Sequence, residues 1–332
     1  MWLLTVPFVF CILIMLFMIP FLFRETSLNK INGKHVAIIV PTYNDNAVIV
    51  STLESIENLK HSHHVSVIVI DDGSDDGTFN ILSSWVKRKR GYEVFRIPKN
   101  TGSKGLALEY AKLYLAKNCE VVVCIDADTV LHPDALSNCI DKLYSGDNIA
   151  AVSGCLIPMP AGHEGLVHRM QRYELEGTFH SLKAAQSFLG CINTLAGALS
   201  VYRRDALDKV GWFSLWLVED ICWTWKACSM GMEVKYAENA IGWTVCPSDY
   251  SRYFRQRRRW ARGRIEALKC SYSIKKIKKI VPWFFLSTMQ FFLGPSFILL
   301  LLINPTLAIT LWGGLIFCHY VYAYKTFRTL KR

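Results

Sequence analysis

Asp126 and Asp128 stand one residue apart, directly after the apolar run Val121-Val122-Val123-Cys124-Ile125. Such a run reads as a strand buried on both faces. The two carboxylates are therefore expected where it leaves the sheet, the position at which open α/β sheets bind ligands. With one residue between them they can meet a single hard cation from neighbouring directions, and oxygen donors suit Mg²⁺ or Mn²⁺. Such a cation can hold a diphosphate and neutralise it as it leaves. The same pair could also do no more than cap a turn, so its meaning depends on what the chain brings beside it.

Four other stretches carry chemistry. Asp71-Asp72-Gly73-Ser74-Asp75-Asp76-Gly77-Thr78 imitates a calcium loop, but Ser83 stands where a bidentate Glu is needed and a strand, not a helix, precedes it. Asp76 or Thr78 is expected to cap the next helix, leaving Asp71 and Asp72 at a strand tip for ligand contact. Gly102-Ser103-Lys104-Gly105 matches neither phosphate-loop nor dinucleotide spacing, and Lys104 reads either as a solvated charge or as a phosphate contact. Glu219-Asp220 opens an aromatic-rich helix, so Asp220 is either its N-cap or a general base whose pKa the apolar Trp212, Phe213 and Trp216 could raise. Gln256, Arg259 and Trp260 share a helical face at i, i+3 and i+4 inside a basic block. A membrane-surface helix explains most of those charges. An indole and an amide beside Arg259 fit a sugar and diphosphate platform. His163-Glu164 with His168 has the wrong spacing for a zinc protease, and His61, His63 and His64 read as surface loop.

The elements that must position these residues follow from periodicity. Strands are expected at His35–Val40, Val65–Ile70, Tyr92–Ile97 and Val121–Ile125, with helices over Ala47–Leu59, Phe79–Lys89 and Gly105–Lys117. This alternation predicts a mostly parallel α/β sheet over about residues 35–250, with Pro41-Thr42, Asp71-Asp72 and Asp126-Asp128 along one edge. Trp2–Phe23 is long and apolar enough to span a bilayer and lacks a cleavage site, so residues 1–24 read as an anchor. Trp283–Ile303 and Thr306–Tyr324 form a candidate hairpin (283–324) across Asn304-Pro305.

Charge orients this arrangement. Arg24, Lys30 and Lys34 follow the first span, Lys275, Lys276, Lys278 and Lys279 precede the second, and Lys325, Arg328, Lys331 and Arg332 (325–332) follow the third. The positive-inside rule then puts the middle domain and C-terminus in the cytoplasm and the N-terminus outside, in a multi-pass membrane protein. The net charge of +11 is matched by residues 251–282 alone, with twelve Lys/Arg against Glu266. That is a local device for anionic lipids or phosphorylated substrates, and nucleic acid is not an expected partner. Eleven cysteines without a CxxC pair read as reduced and buried.

Taken in order, these residues resemble a membrane-embedded family 2 glycosyltransferase, of the branch with cellulose, chitin, hyaluronan and poly-N-acetylglucosamine synthases. The resemblance runs from about Val36 to Gly263. It implies a GT-A fold: a mixed, mostly parallel sheet flanked by helices, here with one N-terminal and two C-terminal transmembrane helices. It implies nucleotide binding at Pro41, Thr42, Asp71, Asp72 and Lys104, a Mg²⁺ or Mn²⁺ site at Asp126 and Asp128, and Gly197-Ala198 on the acceptor side. It also implies a catalytic Asp220 with Glu219, and acceptor or diphosphate contacts at Gln256, Arg259 and Trp260. Val218 departs from the family's usual Thr-Glu-Asp, and three spans are fewer than family polymerases carry. An oligomer or membrane partner would then complete a channel, or products would be short. The implied reaction is inverting transfer from a UDP-sugar, N-acetylglucosamine preferred, to a growing β-glycan. Single transfer to a lipid-linked or short glycan is an alternative, as is a non-catalytic membrane scaffold.

Overall fold

A computed structural model describes residues 2–23, 28–160, 165–213, 218–272 and 280–330. The expectations placed on Arg24, His163, Glu164, Trp216, the lysines at 275–279, Lys331 and Arg332 lie outside them.

Among the described residues eight strands form one sheet: β1 His35–Thr42, β2 His64–Asp71, β3 Tyr92–Arg96, β4 Val121–Ile125, β5 Thr129–Leu131, β6 Ile149–Pro158, β7 Leu199–Arg203 and β8 Glu233–Thr244. Their spatial order is β3-β2-β1-β4-β7-β6-β8-β5. The first four are parallel, β7 runs antiparallel to both β4 and β6, β8 returns parallel to β6, and β5 is antiparallel to β8. This is the mixed, mostly parallel α/β sheet that the alternation predicts.

Every residue of β4 is buried, and alternate side chains feed two cores on opposite faces. Ala37, Ile39, Val122 and Cys124 enter one, while Val36, Ile38, Val121, Val123 and Ile125 enter the other. Helices on both faces complete the layers, which is why these strands read as continuous apolar runs rather than alternating ones.

The β1–β4 ladder pairs Val36–Ile39 with Val121–Cys124 and goes no further. Beyond it comes Pro41, which has no N–H to donate, and Asp126 turns instead to β7, its N–H donating to the Ala198 carbonyl (3.3 Å). The strands part there, and the carboxylates of the β4 tip lie in the opening.

Two features differ from those expected. The helix anticipated over 105–117 is α-helical only at Lys104–Ala111 and ends in a 3₁₀ turn, Lys112–Tyr114, where the Tyr114 ring stacks on Phe95. One cysteine pair, Cys191–Cys228, is a disulfide, correcting the all-reduced expectation. The two residues are 37 apart in sequence, so no local spacing announced the bond.

Among the described residues three helices are long and apolar enough to cross a membrane: Trp2–Leu22, Val281–Ile303 and Pro305–Lys325, the last within a helix reaching Leu330. They share a core that includes Phe8, Met18, Trp283, Leu286, Leu315 and Tyr322, joined by Ala185 of the sheet domain. Polar contacts fasten them to that domain. Ser181 Oγ donates to the Tyr322 carbonyl (2.6 Å), and Lys325 pairs with Glu238 of β8.

Candidate active site

The loops after β1 and β2 are built as one unit. Asn44, a non-glycine residue with a left-handed backbone (φ 58°), receives the Asp75 N–H on its side chain (3.0 Å) and donates its own N–H to Ser74 Oγ (3.0 Å). Asp45 accepts from Thr42 Oγ1 (2.9 Å) and the Tyr43 N–H (3.0 Å). Gly73 is left-handed too, and a Cβ there would stand 2.6 Å from the Asn100 nitrogen, so glycine is required.

Asp71 and Asp72 are buried in this frame. Asp71 accepts from the Ser74 N–H (3.3 Å) and pairs with Arg96 (3.3 Å). Both Asp72 oxygens are engaged by Thr101, one by its N–H (3.0 Å) and one by its hydroxyl (2.8 Å). Pro41 and Thr42 form the floor beside them, with the Asp72 N–H donating to the Thr42 carbonyl (2.9 Å).

Lys104 draws the rest together. It opens the helix Lys104–Ala111 and crosses to the β4 tip, where its ammonium donates to Asp126 Oδ1 and to the Gly197 carbonyl (2.9 Å). Glu219 Oε1 lies 3.6 Å away. Burial works against this ammonium, but the Asp126 and Glu219 carboxylates outweigh it and hold its pKa above the ordinary lysine range. Lys104 thus sits on carboxylates rather than in solvent.

Glu219 and Asp220 form the first turn of helix Glu219–Ser229, with Val218 as its N-cap residue. Asp220 therefore is not the cap. Its Oδ2 accepts the Gly197 N–H (3.0 Å) and its Oδ1 accepts the Ile221 N–H (2.7 Å). A Cβ on Gly197 would meet Lys104 Nζ at 3.0 Å, Asp220 Oδ2 at 3.3 Å and Glu219 Oε1 at 3.4 Å, so this glycine is the gap around which the charges gather. Burial raises the pKa of both acids, with Lys104 opposing it for each. The aromatic content of the helix locks its position. The Trp225 indole donates to the Asn193 carbonyl (2.9 Å), and Thr224 Oγ1 links the Asp220 carbonyl (2.7 Å) to the Leu195 N–H (3.1 Å).

Asp128 is half-buried, and its pKa is pushed up to about 6, first by burial and then by the charges of Asp126 and Asp45. The charges of Asp126 and Asp45 felt at Asp128 make a local excess of negative charge that a divalent cation would relieve. Among the described residues no cluster of three or more His, Cys, Asp or Glu side chains could by itself hold a metal. That fits Mg²⁺ or Mn²⁺ shared between one or two carboxylates and substrate phosphates, and does not fit an all-protein cage.

The helix Tyr250–Tyr272 carries Gln256, Arg259 and Trp260. Gln256 and Trp260 are half-buried and Arg259 is exposed. Trp260 is covered by the guanidinium of Arg257, 4.1 Å from its ring centroid, and Arg257 pairs with Glu174 of the π-helical turn Tyr173–Phe179. The charges of Arg257 and Asp128 both act on the Cys246 thiol, which burial raises to about 11, so this helix borders the Asp128 side of the opening. Sequence reasoning missed Arg257 and Glu174, as well as Asp45 and Lys183. Asp45 adjoins the Pro41-Thr42 tip and could have been found there. Glu174 and Lys183 carry no local signal.

Residues 33–263 match the family described as glycosyltransferase like family 2. The chain belongs to that family. It is 28% identical over 270 residues to a poly-beta-1,6-N-acetyl-D-glucosamine synthase of Staphylococcus epidermidis, covering 78% of this chain and 64% of that protein. It is 26% identical over 258 residues to the synthase of the same name from Staphylococcus aureus strain COL, covering 77% and 61%. The family 2 chain thus spans somewhat under two thirds of these relatives. Its fold is shared with a mannosyltransferase from Pyrobaculum calidifontis, solved with GDP-Man and Mn²⁺, at a TM-score of 0.68 and 20% identity over 97% of this chain and 96% of that one.

Proposed function

We propose that this family 2 enzyme transfers a sugar, N-acetylglucosamine by preference, from a UDP-sugar to a β-glycan at the membrane, inverting the anomeric centre. One observation carries the reading. Around Gly197, a buried acid pair (Glu219, Asp220), a cationic Lys104 and the Asp126 carboxylate meet within hydrogen-bond or ion-pair reach.

In this reading Asp220 takes the proton of an acceptor hydroxyl as that oxygen attacks the anomeric carbon from the face opposite the diphosphate. The C1–O bond breaks, its electron pair leaves with UDP, and a new glycosidic bond forms with inverted configuration. Burial makes Asp220 a stronger base than a solvated aspartate, and Gly197 N–H holds it in place. Asp126 and Asp128 would hold Mg²⁺ or Mn²⁺, which when bound supplies charge neutralisation at the diphosphate. Lys104 adds a second positive charge there, and Arg257 or Arg259 a third from the neighbouring helix. Pro41, Thr42 and the Asp71–Asp72 frame shape the nucleotide end. The names of the staphylococcal synthases support the aminosugar, and the basic stretch beside apolar helices supports a cytoplasmic catalytic face near anionic lipid.

Single transfer to a lipid-linked or short glycan acceptor is a second reading. Membranes holding the full chain, given radiolabelled UDP-N-acetylglucosamine with Mg²⁺ or Mn²⁺, should release UDP and build polymer that a linkage-specific hydrolase digests. A single-sugar product would select the second reading. No UDP release from any UDP-sugar would sink both.

A further inference from the structure

Lys183 has no part in the scheme above, yet it lies beside it. It projects from helix His180–Phe188, and its ammonium donates to Ser153 Oγ (3.3 Å). Ser153 Oγ also accepts the Ala196 N–H (3.0 Å), the residue before Gly197, whose own N–H holds Asp220. Loop 196–197 is therefore gripped on one side by the Lys183–Ser153 pair and on the other by the base. Among the described residues no carboxylate lies within ion-pair distance of Lys183.

The groups facing it are few. Asp220 comes from helix Glu219–Ser229, Cys155 from β6, and Tyr236 from β8 with its ring 5.9 Å away. Burial lowers the pKa of Lys183 to about 8, with Asp220 and Cys155 opposing. Burial also raises Cys155 to about 12 and Tyr236 well above its usual value, so both are neutral near pH 7. Asp220 is thus the partner whose charge Lys183 can govern, together with Lys104 and against the neighbouring Glu219.

We propose that Lys183 is a positioning residue for the transfer reaction: its ammonium, anchored on Ser153, keeps the Asp220 carboxylate ionised and fixes the 196–197 loop that aims it. The proposal rests on Asp220 being the base. An ammonium in a dry pocket favours the charged carboxylate beside it, so its removal should raise the pKa of Asp220. It should also remove the loss of turnover that deprotonation of Lys183 causes on the alkaline side.

The experiment is a kcat–pH profile, from pH 5.5 to 9.5, of the full chain in membranes for wild type, Lys183→Met, Lys183→Arg and Asp220→Asn, with UDP binding measured alongside. Lys183→Met should keep UDP binding and move the acid limb of its kcat profile to higher pH, by about one unit for a tenfold change in the ionisation of the base, with the loss of kcat greatest at the acid end of the range. Lys183→Arg should retain most activity while its alkaline limb moves upward. A Lys183→Met profile that superimposes on wild type overturns the proposal while leaving the base assignment standing. Should Lys183→Met fail to fold, Lys183→Arg decides. A folded, UDP-binding Arg variant as inactive as Asp220→Asn would show that charge is not the contribution, and would overturn it too. Turnover retained in Asp220→Asn would instead remove the base beneath it.

Discussion

Gly263 packs directly beneath Val218, so closely that a Cβ on the glycine would overlap the valine's Cγ2 and Cβ. Val218 precedes the acid pair, and Gly263 lies three residues after Trp260 on the basic helix. The contact sets the height of that helix against the turn that carries Glu219 and Asp220. Gly263→Ala must push the two apart, an overpacking that typically costs about 1–3 kcal/mol. We expect a lower unfolding temperature in detergent and a fall in kcat larger than the change in UDP affinity. Val218→Ala in the same chain should restore part of both by vacating the space. An unaltered Gly263→Ala enzyme would show that the helix is not registered this way.

The acid pair separates chemistry from stability. Asp220→Asn should cut turnover by at least ~10²-fold, the scale of a lost general base, with UDP binding nearly intact. Glu219→Gln should cost less, because its carboxylate supports Lys104 instead of meeting the acceptor. Burial has raised the folded pKa of Glu219, so the folded state holds this proton more tightly than the unfolded chain. Its contribution to stability is complete below the unfolded value near 4.5 and is lost as pH rises through the raised folded value. Glu219→Gln should therefore gain thermal stability relative to wild type as pH rises from 5 to 8. Unfolding temperatures across that range check the sign, and a gain confined to low pH would reverse it.

Much of this was legible because the strands are buried on both faces. β4 was expected at the residues where it lies, since Val121–Ile125 has no polar position to blur its ends. The convergence on Gly197 was readable only through family resemblance. Lys104 and Gly197 are far apart in sequence, and it is the tertiary fold that lets an ammonium meet that carbonyl. Asp71 and Asp72 illustrate the reverse. A strand-tip position suggests ligand contact, but it does not foretell that Thr101 and the Arg96 side chain, from segments 25 to 30 residues on, would also hold these carboxylates. Lys183 and Glu174 escaped because a single charge inside a helical stretch has no pattern.

The Lys104–Asp126 pair bears on metal use. Chelation with EDTA should abolish UDP release, and Mn²⁺ or Mg²⁺ should restore it. Asp126→Asn removes an anionic oxygen from both the ammonium and the cation. It should raise the metal concentration for half-maximal turnover by tenfold or so, about 1.4 kcal/mol of binding. Lys104→Met should behave differently, lowering kcat without that increase. A Lys104→Met enzyme with an unchanged kcat would remove this lysine from the transfer step.

The last prediction concerns how the apolar helices hold the sheet domain. Lys325 pairs with Glu238, with side chains only 10% and 24% exposed, and the His180 Nε2 lies 3.9 Å from the same carboxylate oxygen. Burial lowers the pKa of His180 to about 3, so it stays neutral and cannot replace the lysine as counter-charge. Lys325→Met should therefore leave Glu238 poorly compensated and cost about 1–3 kcal/mol, the penalty for stranding a buried polar group. Adding Glu238→Gln removes the stranded charge, so the double variant should be more stable than Lys325→Met alone. Thermal unfolding in one detergent, across wild type, both single variants and the double, tests this. Strict additivity of the two substitutions would mean that the pair does not couple the helices to the sheet.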